Sequence, residues 1–196
     1  MPPTLESETL LSRLGRFKAD LSNLSVEKIV RKTLTSQDPY IFTNDVYYDL
    51  KEQISNQFKV HPSVILMVGS GKLGFSLAKD KRYRFFCNES DIDMAIISSE
   101  LFDKVWQLLA EYRGDWPEKK EFQRYLFQGW IRPDKLPQSG EFPFTAGWWD
   151  FFMRLTSSGK YGECKITAGL YKSWFFIEKY QSIRVRECQD DVGGNT

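Results

Sequence analysis

Histidine is almost missing from this chain: His61 is the only one, and no serine or cysteine nucleophile is arranged around it, so it is assigned no catalytic role. Cysteine is scarce as well. Cys87, Cys164 and Cys188 are odd in number and form no CxxC spacing, which excludes a disulfide framework and a zinc site and makes a reducing cytoplasm the expected compartment. No signal peptide and no apolar run of membrane length is present, so no membrane partner is expected. Net charge is missing too. Twenty-seven basic residues against 26 acidic ones leave +1, which gives no global electrostatic case for nucleic acid. Neither an internal repeat, a low-complexity block nor an interdomain linker interrupts the 196 residues. That length predicts one domain over 1–196, able to bury a core without covalent staples.

What the chain does have is an unusual stretch from Val64 to Ile97. It opens on five apolar residues, Val64 to Val68, stopped by Gly69-Ser70; short apolar runs ended by glycine read as buried strands. It closes on a second apolar run into which Asp91 and Asp93 are set. Side chains alternate along a strand, so Asp91, Asp93, Ala95 and Ile97 share one face and Ile92, Met94 and Ile96 the other. The two carboxylates then stand about 6–7 Å apart. Like charges that close should destabilise the fold or keep one group protonated, and a divalent cation removes the conflict. Magnesium, or manganese in its place, suits such a site: it takes one or two protein carboxylates and fills its octahedron with water and phosphate oxygens. A glycine turn at the end of the neighbouring strand lets backbone approach a phosphate, and Ser70 with the following amides can donate to it. The combination reads as a metal-triphosphate site.

Gly69-Ser70-Gly71-Lys72 also looks like the tail of a P-loop. That pattern needs a glycine where Leu66 stands and a Ser or Thr where Leu73 stands, so an ATPase of that class is excluded. A strand ending in Gly69-Ser70, a spacer, and then Asp91-Ile92-Asp93-Met94 resembles instead the nucleotidyltransferase superfamily. These proteins share a DNA polymerase beta-like palm and include antibiotic-modifying adenylyltransferases, toxin-antitoxin transferases and bacterial cyclic-oligonucleotide synthases. The resemblance covers about a sixth of the chain, and its 20-residue spacer, Gly71 to Ser90, exceeds that of the smallest members. It implies an α/β (α+β) fold with a small mixed-sheet palm, aspartates that bind one or two magnesium ions, and a Gly-Ser turn that holds nucleotide phosphates. Lys72 is expected beside those phosphates.

The flanking sequence predicts helices before the palm and after it. Leu10, Leu11, Leu14, Phe17 and Leu21 recur at helical spacing; Ser25 can cap a second helix carrying Val26, Ile29 and Val30; Val46, Leu50, Ile54 and Phe58 form the core stripe of a third from about Thr43. Ser98-Ser99 caps a helix to about Tyr112, with Leu101, Val105, Leu108 and Leu109 inward. Residues 122–131 are rich in aromatics and read as a third strand. Palms of this kind often carry a third carboxylate on a neighbouring strand; no aspartate falls inside 122–131, which leaves Glu121 at its start, favoured for its reach, and Asp134 past its end. Residues 136–147 read as a long loop, and the aromatics from Trp148 to Leu155 as a helix or buried segment. Lys165 to about Arg186 reads as one long C-terminal helix, followed by a frayed tail. The expected division is therefore N-terminal helices over 1–60, palm core over 62–135, a helical part over 136–188 and a flexible tail over 189–196.

The basic run from Lys72 to Arg84, with Lys79, Lys81 and Arg82 between, reads either as a solvated loop or as a flap over a triphosphate or oligonucleotide. The leading functional expectation is a magnesium-dependent nucleotidyltransferase that transfers a nucleotidyl group from a nucleoside triphosphate to an acceptor hydroxyl. Asp91, Asp93 and Glu121 would be its catalytic residues, the two aspartates its metal ligands, and Gly69, Ser70 and Lys72 its substrate contacts. The rival is a catalytically inactive nucleotide-binding or regulatory module, as in a bacterial toxin-antitoxin or phage-defence system.

Overall fold

A computed structural model of the chain describes residues 9–138, 140 and 142–193. The N-terminal expectations hold from Thr9 onward; residues 1–8 lie outside the described residues. Helix α1 (Leu10–Asn23) starts where the Thr9 hydroxyl accepts from the Ser12 N–H, and it buries Phe17 and Leu21 while Leu11 faces out. Ser25 caps α2 (Val26–Arg31), which continues through a π-helical turn, Lys32–Ser36. Thr43 caps α3 (Asn44–Phe58), with Leu50 and Ile54 fully buried.

Strand β1 (Ile65–Val68) passes directly into the short helix α4 (Gly69–Leu73). After residues 74–91 come β2 (Ile92–Ile97) and the Ser98-capped α5 (Ser99–Glu111). Then follow α6 (Lys119–Phe127), a two-residue β3 (Trp130–Ile131), α7 (Pro143–Ser157), β4 (Ile166–Tyr171) and α8 (Trp174–Gly193). The sheet is mixed and open, in the order β1-β2-β4-β3, with β2 and β4 parallel at its centre and antiparallel partners outside. The fold is thus α+β with a long C-terminal helix.

Period-two alternation divides the core into two layers. Met67, Met94 and Ala168 point to α3, α5, α6 and α7, whereas Leu66, Ala95 and Tyr171 point to α1, α2 and α8. Both faces are covered, except where Asp93 and its neighbours open onto a cleft.

Five expectations are corrected, the first being the long loop over 136–147, which gives way at Pro143 to α7. Residues 122–129 are not strand, and only Trp130–Ile131 pair, as β3: α6 buries Phe122, packs Leu126 against the core and ends at Phe127, two residues before Gly129, whose φ of +64° suits a glycine stop. Of the aromatics there, Phe122 packs the core face of α6, Phe127 is exposed and Trp130 lies in β3. Lys165 to Arg186 is not one helix, since its first part is β4, the strand paired with β2; the sheet therefore extends beyond residue 135 into the part expected to be helical. The frayed tail is helical through Gly193, and residues 194–196 lie outside the described residues. Leu108 is 40% exposed, on the outer side of α5.

Glycine 169 shows how tightly β3 lies against β4. The Trp130 ring stacks on Tyr171 at 5.4 Å and 6°, and a Cβ at Gly169 would sit 2.5 Å from Trp130 Nε1. Gly169→Ala must therefore displace the indole, at a cost of about 1–3 kcal/mol, or several degrees of Tm. Gly147→Ala meets nothing within 4 Å inside α7 and should gain about 0.5–1 kcal/mol. Thermal unfolding of the two variants checks this; equal shifts would contradict the packing.

Candidate functional site

The site is built where β1 runs into α4. The antiparallel register pairs Val68 with Asp93, so the next residue, Gly69, arrives beside the Asp93 carboxylate. Gly69 has φ +66°, and a Cβ on it would lie 3.0 Å from Asp93 Oδ2. Only glycine meets both demands: a left-handed backbone and an unobstructed approach. Ser70 follows at the first turn of α4 and lines the cleft next to the aspartate.

Asp93 stands on β2 with Ile92 and Met94 buried on either side. Opposite it on β4 is Thr167, whose hydroxyl donates to Asp93 Oδ1 at 3.1 Å. Burial pushes the Asp93 carboxyl from the ordinary 3.8 up to about 6; the Thr167 hydrogen bond opposes that rise, the Asp91 charge adds to it, and Lys165 opposes it. Asp91 is exposed, one residue before β2, on the same cleft. Of the two carboxylates expected on one strand only Asp93 is in β2; Asp91 precedes it, and both line the one cleft, Asp93 desolvated and Asp91 exposed.

The cleft encloses about 610 Å³. Its floor runs along β2 and β4 from Asp91 and Lys165, past Asp93 and Thr167, to Gly169 and Tyr171. Lys81, Arg84 and Phe85 form one wall, and Tyr180 and Arg184 of α8 close the far end. Cations outnumber what the fold needs for its own ion pairs: Lys81, Arg84 and Lys165 make no salt bridge with any described residue.

Other expected site residues stand elsewhere. Lys72 does not line the cleft. Its buried ammonium donates to the Gln37 carbonyl behind α4, and burial lowers it to about 8. Glu121 is on α6, not at the start of a strand, and is occupied by Lys135 at 2.8 Å and Arg124 at 3.3 Å. Asp134 does line the cleft but is held in a bidentate pair with Arg132, at 3.0 and 2.8 Å. The strand beside β2 brings Thr167 and Lys165 to the aspartates, and no carboxylate. Thr167 lies in the segment expected to be helical; the β-branched pair Ile166-Thr167 and the alternation through Leu170 are the local signals of its strand.

A hard divalent cation fits Asp91 and Asp93, since magnesium is commonly held by one or two protein carboxylates with water and substrate oxygens completing its shell. Among the described residues, no group of three or more His, Cys, Asp or Glu side chains is gathered to hold an ion by itself.

A carboxyl whose folded pKa lies above its unfolded value binds its proton more readily in the folded protein. Its charged form therefore costs stability above about pH 6 and costs nothing below about pH 4. Asp93→Asn should raise the Tm of the metal-free protein at pH 7.5 by up to several degrees, with the gain shrinking as pH falls from 6 to 4. A loss of stability at pH 7.5 would show that the charged carboxylate holds the fold together.

Compared with protein-family profiles, curated proteins and solved structures, the chain matches none.

Proposed function

We propose that the cleft binds a nucleoside triphosphate with magnesium and transfers its nucleotidyl group to an acceptor hydroxyl, as the resemblance of Gly69-Ser70 and Asp91-Ile92-Asp93 to nucleotidyltransferases implies. The observation that carries this reading is the contact between the two motifs: Gly69, 24 residues away in sequence, stands where any Cβ would press on Asp93 Oδ2. A phosphate-approach turn and a carboxylate pair thus open onto one cleft.

In this reading Asp91 and Asp93 hold the metal. Thr167 occupies Oδ1 of Asp93 and leaves Oδ2 toward the Gly69 turn, so the carboxylate is oriented before any ligand arrives. Gly69 leaves room for a phosphate, and the Ser70 hydroxyl donates to it. When bound, magnesium supplies charge neutralisation at the phosphate under attack and at the departing pyrophosphate. Such chemistry asks the protein for position and charge, not for a covalent nucleophile, which agrees with the lack of any nucleophile-base pair in the sequence.

One observation favours the non-catalytic rival. The strand adjoining β2 presents Thr167 and Lys165 instead of a further carboxylate, and Glu121 is taken up by Lys135. A module of that kind would bind the nucleotide without turning it over.

Incubation with each labelled nucleoside triphosphate and magnesium, followed by mass spectrometry of small products and of the protein, separates the two. Transfer predicts pyrophosphate and a nucleotidylated product, both absent for Asp91→Asn with Asp93→Asn. Binding without product supports the inactive module. Magnesium-triphosphate affinity unchanged in the folded double variant would refute the site.

A further inference from the structure

The run Lys79-Asp80-Lys81-Arg82-Tyr83-Arg84 does not behave as one basic patch. It forms the tip of a hairpin closed by the antiparallel Phe75–Phe85 bridge. Within it Ser76 N–H donates to the Arg84 carbonyl at 2.9 Å, Tyr83 N–H to the Ser76 carbonyl at 2.8 Å, and Arg84 N–H to the Lys81 carbonyl at 2.9 Å. Tyr83 adopts φ +62°, a left-handed conformation that is strained for a non-glycine residue. That conformation drives its ring against Phe75, at 6.3 Å, with the Lys18 ammonium 4.7 Å from its centroid.

The neighbour of Tyr83 is held harder still. The Arg82 side chain is only 11% exposed and reaches across to α8, pairing with Asp191 at 2.5 Å and Glu187 at 3.5 Å. Tyr180, Arg184, Glu187 and Asp191 recur on one face of α8 at helical spacing. The same helix face therefore closes the cleft at one end and grips the hairpin at the other. With Arg82 and Tyr83 fastened outside the cleft, Lys81 and Arg84 line it with no ion pair to any described residue, and Lys165, 5.9 Å from the Trp149 ring centroid, lines it with none either. A strained, doubly anchored loop that leaves two cations without ion pairs to the described residues, on the cleft that Asp91 and Asp93 also line, has no evident use in folding.

We propose that this hairpin is a latched clamp for the phosphate chain of a nucleoside polyphosphate: Lys81 and Arg84, with Lys165 opposite, bind the anion, and Arg82 is a positioning residue that fixes the clamp to α8. The proposal rests on the nucleotide reading above, but its anion contacts require neither metal nor turnover. Phosphate oxygens meet guanidinium and ammonium donors in charge-assisted hydrogen bonds, each worth about 1.5–3 kcal/mol, or roughly tenfold in affinity or more.

The test is calorimetric titration of the full chain with inorganic tripolyphosphate in metal-free, low-salt buffer. Wild type should bind. Lys81→Ala with Arg84→Ala should lose at least about tenfold. Asp191→Asn, an exposed change that loosens the latch without leaving a hole, should lose several-fold, while Lys79→Ala, on the same loop but outside the cleft, should change nothing. Tripolyphosphate affinity within twofold of wild type in Lys81→Ala/Arg84→Ala overturns the clamp, as does a loss in Lys79→Ala equal to that in the double variant, or an absence of binding by wild type. An unaffected Asp191→Asn overturns the latch. Clamp-dependent tripolyphosphate binding without any nucleotidylated product from labelled triphosphates would leave the clamp standing and remove transfer; product formation unaffected by Lys81→Ala/Arg84→Ala would do the reverse.

Discussion

The rest of the site depends on one close approach, that of the Gly69 backbone to the Asp93 carboxylate. The Asp93 carboxylate, between Val68 and Thr167 on the sheet, loses hydration by burial, and its proton affinity rises accordingly. Packing a glycine turn there leaves the carboxylate, among the described residues, with one hydrogen bond, from the Thr167 hydroxyl to Oδ1. The register of β1 against β2 sets this up. A one-residue slip would turn Leu66 and Val68 to the other face and carry the turn away from the aspartate.

The turn is braced from behind by the N-terminal region. Lys72 donates to the Gln37 carbonyl, and the Lys72 carbonyl in turn accepts from the Arg13 guanidinium at 3.0 Å and the Tyr40 N–H at 3.1 Å. On the other side of β1, Met67 N–H donates to the Tyr47 hydroxyl at 2.9 Å. Helix α1, residues 37–40 and α3 thus converge on the junction of β1 with α4, a helix of five residues too short to hold its own geometry. This explains why a lysine adjacent to the glycine turn is buried and why its ammonium is depressed: it serves the turn's position and does not face the cleft.

Those parts of the fold whose signals are local were legible in the sequence. Capping hydroxyls at Ser25, Thr43 and Ser98, the stripe through Leu50 and Ile54, and the apolar runs on either side of Gly69 and Asp93 all specify their elements from neighbours within a few residues. What was illegible depended on long-range pairing. Leu170, Trp174 and Ile177 repeat at helical spacing, yet the first lies in β4, because a parallel partner for β2 is worth more than one further helical turn. In residues 122–131 aromatic enrichment suggested a strand, whereas Phe122 and Leu126 are one helical turn apart and face the same core. The misreading carried Glu121 with it. It also hid Thr167, since a residue's role opposite Asp93 cannot be seen until its strand is placed. The fate of the basic run was equally remote from its own composition: Arg82 is decided by Glu187 and Asp191, more than 100 residues later.

The central claim, that the Gly69 turn and the Asp91–Asp93 pair form one nucleotide-metal site, is tested most directly by a crystal structure with magnesium and a nucleoside triphosphate whose α,β-bridging oxygen is replaced by methylene. The account predicts a cation within about 2.0–2.1 Å of oxygens from both aspartates, its remaining ligands including phosphate oxygens, with the phosphate chain against Ser70. A nucleotide seated elsewhere, or one in the cleft whose cation contacts neither aspartate, would contradict it.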